Sequence, residues 1–334
     1  MLHWLGRVTS AAGLLLAIGA CGSAESKVGT ESGGSAGARA GAAGAAGIGG
    51  TDTAASGAGG ADTAGGASGG SSGANGGGSG GTLVGAHCST AKPFGTPQAI
   101  SELNTAEHEA GARLTSDELS ITYLCVAANV NQVCLAQRSN RKAAFGKPTV
   151  LIARMGGVPW ISDDLLTLFY EDTLKNSGVS RTQRATLQEP FAETGFSPYF
   201  KDYGDPFVVG GQNGRLYLSA VHSGGFAVMK LKDWEPGDPQ LVPSAGHGAD
   251  ARPALTPDEL TLYFGSSPRA GTGRKEDIWV QERPSVNDPF NAAVNVGELN
   301  TQPQNFPSWV SPDGCRLYFD AGTFPRDLYV AERN

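Results

Sequence analysis

The 334-residue sequence is poor in charge: charged residues make up 17% of it and the formal net charge is −7. No run of five like charges occurs. That balance argues against a nucleic-acid partner, which requires a basic patch. Histidine is scarce too: His3, His87, His108, His222 and His247 form no HExxH and no spaced cluster with cysteine. No metal site and no cofactor are therefore expected. His108 stands in "AEHEAG", where a surface loop is the expected setting rather than a ligand or a general base. The apolar run Ala11–Ala20 is too short to span a bilayer and reads as the h-region of a signal peptide covering residues 1–20.

Residues 22–86 are almost entirely Gly, Ala, Ser and Thr. Such a segment buries too little apolar surface to offset the entropy of ordering, so it is expected to be a disordered linker. It contains GxSxG repeatedly, at 33–37, 69–73 and 77–81 among others. None has the strand before and helix after that a nucleophile elbow needs, so no catalytic residue is assigned. Residues 87–334 remain as one folded domain.

That domain repeats itself. "SPDGCRLYFD" (311–320) is matched by "TPDELTLYFG" (256–265), more weakly by "TSDELSITYL" (115–124) and "ISDDLLTLFY" (161–170), and in degenerate form by "GQNGRLYLSA" (211–220). Each reads as a tight turn feeding an aromatic-rich strand. The repeated turn residues are Asp117, Asp163, Asn213, Asp258 and Asp313. "ELNT" recurs at 102–105 and 298–301, and Asp117 and Asp313 share the same offset of 196 residues. Four repeats across that offset give a period of about 49, in the range of propeller blades. A third marker follows the turns as "DIWVQER" (277–283), "DLYVAER" (327–333) and "QVCLAQR" (132–138). The strand runs are nearly continuous in apolar residues, as expected of sheets covered on both faces.

These residues resemble the WD40-like β-propeller repeats of TolB-type periplasmic propellers, over residues 94–334. The resemblance implies an all-β propeller of four-stranded blades. Five modules are visible, so five blades are expected; six is the alternative, because TolB-type propellers have six. The ring should close through residues 97–103, as the outer strand of the last blade beside Asp327–Arg333. Trp160 and Trp309 precede the turn at matching positions and are expected in inter-blade packing. The pairs Asp163-Asp164 and Asp258-Glu259 sit at the turn, where Asp caps the backbone.

"IGAC" (18–21) resembles the lipobox of bacterial lipoproteins. This implies cleavage before Cys21, lipidation of its thiol, and a tether through the linker; an ordinary secretory signal with a chance cysteine is the alternative. In related lipoproteins a residue other than Asp after the cysteine, here Gly22, goes with the outer membrane. An exported domain with four further cysteines is expected to form bridges. The repeat map pairs Cys125 with Cys134 on consecutive strands and Cys88 with Cys315 across the ring closure. The function expected is a lipid-anchored envelope propeller that binds a protein or polysaccharide partner without catalysis. A glycan-active or lactonase-type enzyme, with carboxylates gathered at the channel, is the alternative.

Overall fold

The computed structural model describes residues 88–153, 156–172, 178–192, 201–220, 225–242, 250–267 and 276–333. The signal segment, Cys21, the linker with its GxSxG matches, and His3, His87, His222 and His247 lie outside them.

The described strands form five antiparallel sheets, the blades of a propeller. Blade 1 is β2 (Glu109–Leu114), β3 (Ser120–Ala127), β4 (Val130–Gln137) and β5 (Thr149–Ile152). Blade 2 is β6 (Gly156–Ile161), β7 (Thr167–Asp172) and β8 (Gly178–Gln183), with a Gly178–Lys201 bridge at its outer edge. Blade 3 is β9 (Tyr203–Val209), β10 (Arg215–Ala220) and β11 (Phe226–Lys232), edged by β12 (Glu235–Pro236) and β13 (Gln240–Val242). Blade 4 is β14 (Ala251–Leu255), β15 (Thr261–Ser266), β16 (Asp277–Glu282) and β17 (Val294–Asn295). Blade 5 is β18 (Asn305–Val310), β19 (Arg316–Ala321) and β20 (Asp327–Glu332), completed by the N-terminal strand β1 (Gln98–Ala99).

The ring closes beside Asp327–Glu332 as expected, but of residues 97–103 only Gln98–Ala99 form the strand: Gln98 pairs with Val330, Ala99 with Tyr329, and Phe94 bridges to Arg333. The first strands of the blades line the axis, each packed against those of its two neighbours, β18 against β2 included. Closure covers the edges that an open sheet would present. Cys88 is bonded to Cys315, with the Cys88 N–H also donating to the Asp313 carbonyl at 2.9 Å. Cys125 is bonded to Cys134, but the two are not directly opposite: Cys125 faces Gln132, and Cys134 faces Tyr123. The bridge is diagonal, across two residues on one face of a twisted hairpin.

The turns repeat, but two of the expected turn residues stand elsewhere. Asp117, Asp258 and Asp313 each accept from the hydroxyl two residues before and the N–H two residues after. In blade 2 that role belongs to Asp164, which takes Ser162 Oγ and Leu166 N–H. Asp163 instead reaches blade 1, accepting from Ser116 N–H and Oγ, both at 2.7 Å. In blade 3, Leu216 opposes Val208 as Leu317 opposes Val310. Asn213 therefore stands one position beyond Asp313's, in a 3-10 turn over Gly211–Asn213. The fourth turn position is left-handed at Glu118, Leu165, Glu259 and Gly314, with φ of 63°, 60°, 60° and 69°.

The arginine that closes each "VAER"-like strand locks this turn. Nε of Arg138, Arg184 and Arg283 donates to the carbonyls of Glu118, Leu165 and Glu259 at 2.7, 2.9 and 2.8 Å, and Arg333 Nη1 reaches that of Gly314 at 3.4 Å. Each guanidinium lies over a phenylalanine: Phe145, Phe191, Phe290 and, for Arg333, Phe94. In the first three the phenylalanine is the seventh residue after the arginine. In the last it comes from the other end of the domain, so the closing segment rebuilds the same contact.

Candidate functional site: the central channel

Each first strand carries a register shift opposite the second strand. A bulge re-aims one backbone N–H out of the ladder, and a buried N–H must find an acceptor. The residues at this point are Gly111, Val158, Asp205, Arg252 and Pro307. Gly111 N–H donates to Asp320 Oδ1 of blade 5 at 2.9 Å, and Asp205 N–H to Glu171 Oε1 of blade 2 at 2.9 Å. Arg252 N–H donates to Ser219 Oγ of blade 3 at 3.0 Å and to Asp205 Oδ2 at 3.1 Å. Val158 N–H reaches Glu171 Oε2 of its own blade at 3.3 Å. Pro307 has no N–H, and the matching second-strand position in the preceding blade is Gly265, which has no acceptor. A Cβ there would stand 2.7 Å from the Phe306 ring. Where the donor disappears, so does the side chain that would receive it.

This bonding brings Glu171, Asp205 and Asp320 into one half of the channel with Arg252 and Arg326. Arg252 pairs with Asp320, and its Nε lies 3.6 Å from Asp205 Oδ1; Arg326 Nε lies 3.1 Å from Asp320 Oδ2. Burial, with the Asp205 charge beside it, raises Glu171 from its ordinary value to about 7. Glu171 extends between the first strands of blades 2 and 3, where its carboxylate oxygens would lie 1.9 Å and 2.4 Å from a Cβ on Gly157 or Gly204. Both glycines are needed for that reach. His108 is not on a surface loop: it is buried at this end, accepts from Arg326 N–H at 3.0 Å and packs on Phe324. The loop between β19 and β20 covers it once the ring closes, and burial lowers its pKa to about 4.

The other half of the channel, on the turn side, is a cavity of about 470 Å³. Its walls include Trp160, Phe207, Trp234, Trp309, Leu255 and Pro312. Trp160, Phe207 and Trp309 occupy the same first-strand position, as do Ala254 of blade 4 and Arg113 of blade 1, each immediately before the last paired residue of its strand. Trp160 packs on Phe169 and Trp234, and Trp309 on Tyr318, so both tryptophans serve packing and wall the cavity. The carboxylates of the rim, Asp163 and Asp164, are both taken up by the turn bonds above. Arg113 is fully buried with its guanidinium 4.8 Å from the Phe207 ring centroid. Burial lowers its pKa to about 9.

Repeat identity pointed to Trp160, Trp309 and the turns, but Glu171, Asp205, Arg252, Asp320 and Arg113 were missed. The available signal was the proline at residues 159, 206 and 253, spaced by 47, which marks the bulge. Among the described residues no group of three or more His, Cys, Asp or Glu side chains is placed to hold a metal ion.

Fold and channel define a five-bladed β-propeller with an aromatic cavity at one mouth and a charged network behind it. No family model and no curated protein matches the sequence. Solved structures similar to this chain include TolB from Acinetobacter baumannii, at 14% identity and a TM-score of 0.46, over 70% of this chain and 56% of that one. A GH43_1 enzyme from Xanthomonas citri shares 12% identity at a TM-score of 0.49, over 71% of this chain and 89% of that one. A gluconolactonase from Xanthomonas campestris shares 13% at 0.45, over 74% and 93%. The chain thus spans little more than half of that TolB structure.

Proposed function

We propose that the protein is an envelope lipoprotein, anchored through Cys21 and probing its surroundings with a non-catalytic propeller whose turn-side cavity binds a partner. The cavity carries this reading: it is concave, aromatic and of ligand size, and neither carboxylate at its rim is free for acid–base work. The bulge bonds likewise explain why the deeper carboxylates are present without invoking chemistry. Apolar walls suit an inserted group of a protein partner better than a polysaccharide, whose hydroxyls would need acceptors there. Two disulfides fit folding in an oxidising compartment. In this reading residues 1–20 are removed, Cys21 is acylated at an outer-membrane surface, and residues 22–86 tether the propeller to it.

Pull-down of envelope proteins with the full-length Cys21→Ser chain, beside a glycan array, tests the binding role. The Cys21→Ser chain should capture a partner that the same chain carrying Trp309→Ala loses, whereas glycan capture alone would redirect the reading to polysaccharide. Cys21→Ser should also move the protein out of the membrane fraction, and its retention there would sink the anchor.

The raised Glu171 beside Asp205 favours a second reading, a glycan-active or lactonase-type enzyme. Hydrolysis of a glycoside or lactone panel that Glu171→Gln abolishes, with the fold intact, would establish it over the first.

A further inference from the structure

Arg113 has no assigned work. Nε, Nη1 and Nη2 are all buried, and none donates a hydrogen bond to any described residue. A guanidinium held this way has lost water without gaining acceptors, which is costly unless something else accepts from it. The channel carboxylates are committed elsewhere: Asp320 to Arg252 and Arg326, Asp205 to Arg252 and Ser219, and Glu171 to two backbone N–H groups. Arg113 thus feels the charges of Asp205, Asp320 and Glu171 through space but has no hydrogen-bonded acceptor of its own. It belongs to the same ring of first-strand positions as the cavity walls Trp160, Phe207 and Trp309, and Leu114, the next residue, lines the cavity. Its guanidinium lies against Phe207, one of those walls.

We propose that Arg113 is the anion subsite of the turn-side cavity, which takes an organic carboxylate borne on an apolar or aromatic group. This rests on the cavity being a binding site and names the chemistry of what it binds. The apolar group fills the space between Trp160 and Trp309, and the carboxylate enters between the guanidinium and the Phe207 ring. A cation–π contact is exchanged for a paired, charge-assisted one, which is the stronger of the two. The planar fork of arginine suits a carboxylate where lysine would not. A free aryl acid and the C-terminus of a polypeptide ending in an apolar residue share this chemistry.

Tryptophan fluorescence of the whole Cys21→Ser protein reads it directly, with 3-phenylpropionate against its primary amide and N-acetyl-Ala-Phe against its C-terminal amide. Each acid should bind saturably and at least tenfold more tightly than its amide, and Arg113→Met should bring acid and amide to equal affinity. A preference confined to the dipeptide identifies a chain terminus as the source, and one confined to phenylpropionate a small acid. Equal affinity of acid and amide in the Cys21→Ser protein overturns the subsite and leaves the cavity as a binding site; binding of neither overturns both. That comparison, made with Arg113 in place, decides the matter even if Arg113→Met does not fold.

Discussion

The two halves of the channel are built from the same five strands, only two residues apart, yet one is aromatic and the other ionic. The difference lies in the bulge. On the turn side the first strands are regularly paired and their side chains are free to be Trp160, Phe207 and Trp309. Beyond the bulge the backbone N–H groups of Gly111, Asp205 and Arg252 point out of the ladder, and acceptors must be supplied. Glu171, Ser219 and Asp320 answer that demand, and Arg252 and Arg326 balance the charge that follows. A cluster of buried acids in a propeller channel is here explained by the backbone before any chemistry is considered.

Four measurements sharpen or break this contrast. The largest effect is expected from removing the bridge beside the turn-side rim. It encloses a separation of 227 residues, and Cys88→Ser with Cys315→Ser should cost roughly 4–5 kcal/mol by chain entropy. Denaturant unfolding reads it, and the reduced wild type, which also loses Cys125–Cys134, should be less stable still.

Arg252→Met comes next. It strips Asp205 and Asp320 of a shared partner in a buried site, which should cost about 3–4 kcal/mol by the same assay. Ligand affinity on the turn side, measured below the unfolding transition, should not change. If it falls with the stability, the halves are not separate.

The third is a pH dependence in which the ionic half opposes itself. Glu171 has a folded pKa near 7, above its unfolded value, so the native state holds the extra proton between about 4.5 and 7. Its contribution is fully present below the unfolded value and is lost as pH rises through 7. His108 has a folded pKa near 4, below the usual 6.5, so the unfolded state binds the extra proton and stability rises with pH between those values. The two slopes offset each other near pH 5–6. Glu171→Gln should leave the rising limb and His108→Phe the falling one, as thermal melts from pH 4 to 8 would show. A flat profile in both variants would remove the assignment.

The smallest effect is Trp309→Phe. It leaves an aromatic ring against Tyr318 and should cost about 1 kcal/mol, while widening the cavity and weakening any ligand in it severalfold. Unfolding and fluorescence titration of the same sample separate the two outcomes.

The module itself was legible because its turns are chemically obligatory. A hydroxyl, an aspartate two residues on and a left-handed fourth position leave a local trace, and their recurrence with "ELNT" gave the blade number and the closing strand. The register blurred where local chemistry was degenerate. "SDD" offers two aspartates, and only the fold shows that Asp164 caps its own turn while Asp163 crosses to blade 1. "GQNG" offers no aspartate at all. Cysteine positions followed the repeat map to the correct strands, while the diagonal geometry of Cys125 and Cys134 depended on hairpin register.

What the sequence determined by itself is what short-range physics enforces: strands, turns, their period and the closing of the ring. Arg138 and Phe145, Arg184 and Phe191, Arg283 and Phe290 were within its reach too, being seven residues apart. The channel was decided only by tertiary structure. Asp320 meets Gly111 across 209 positions, Arg252 meets Asp320 across 68, and Arg113 lies over Phe207 from two blades away. No local pattern links such residues, because they share an axis around which the chain passes five times rather than a segment of the chain.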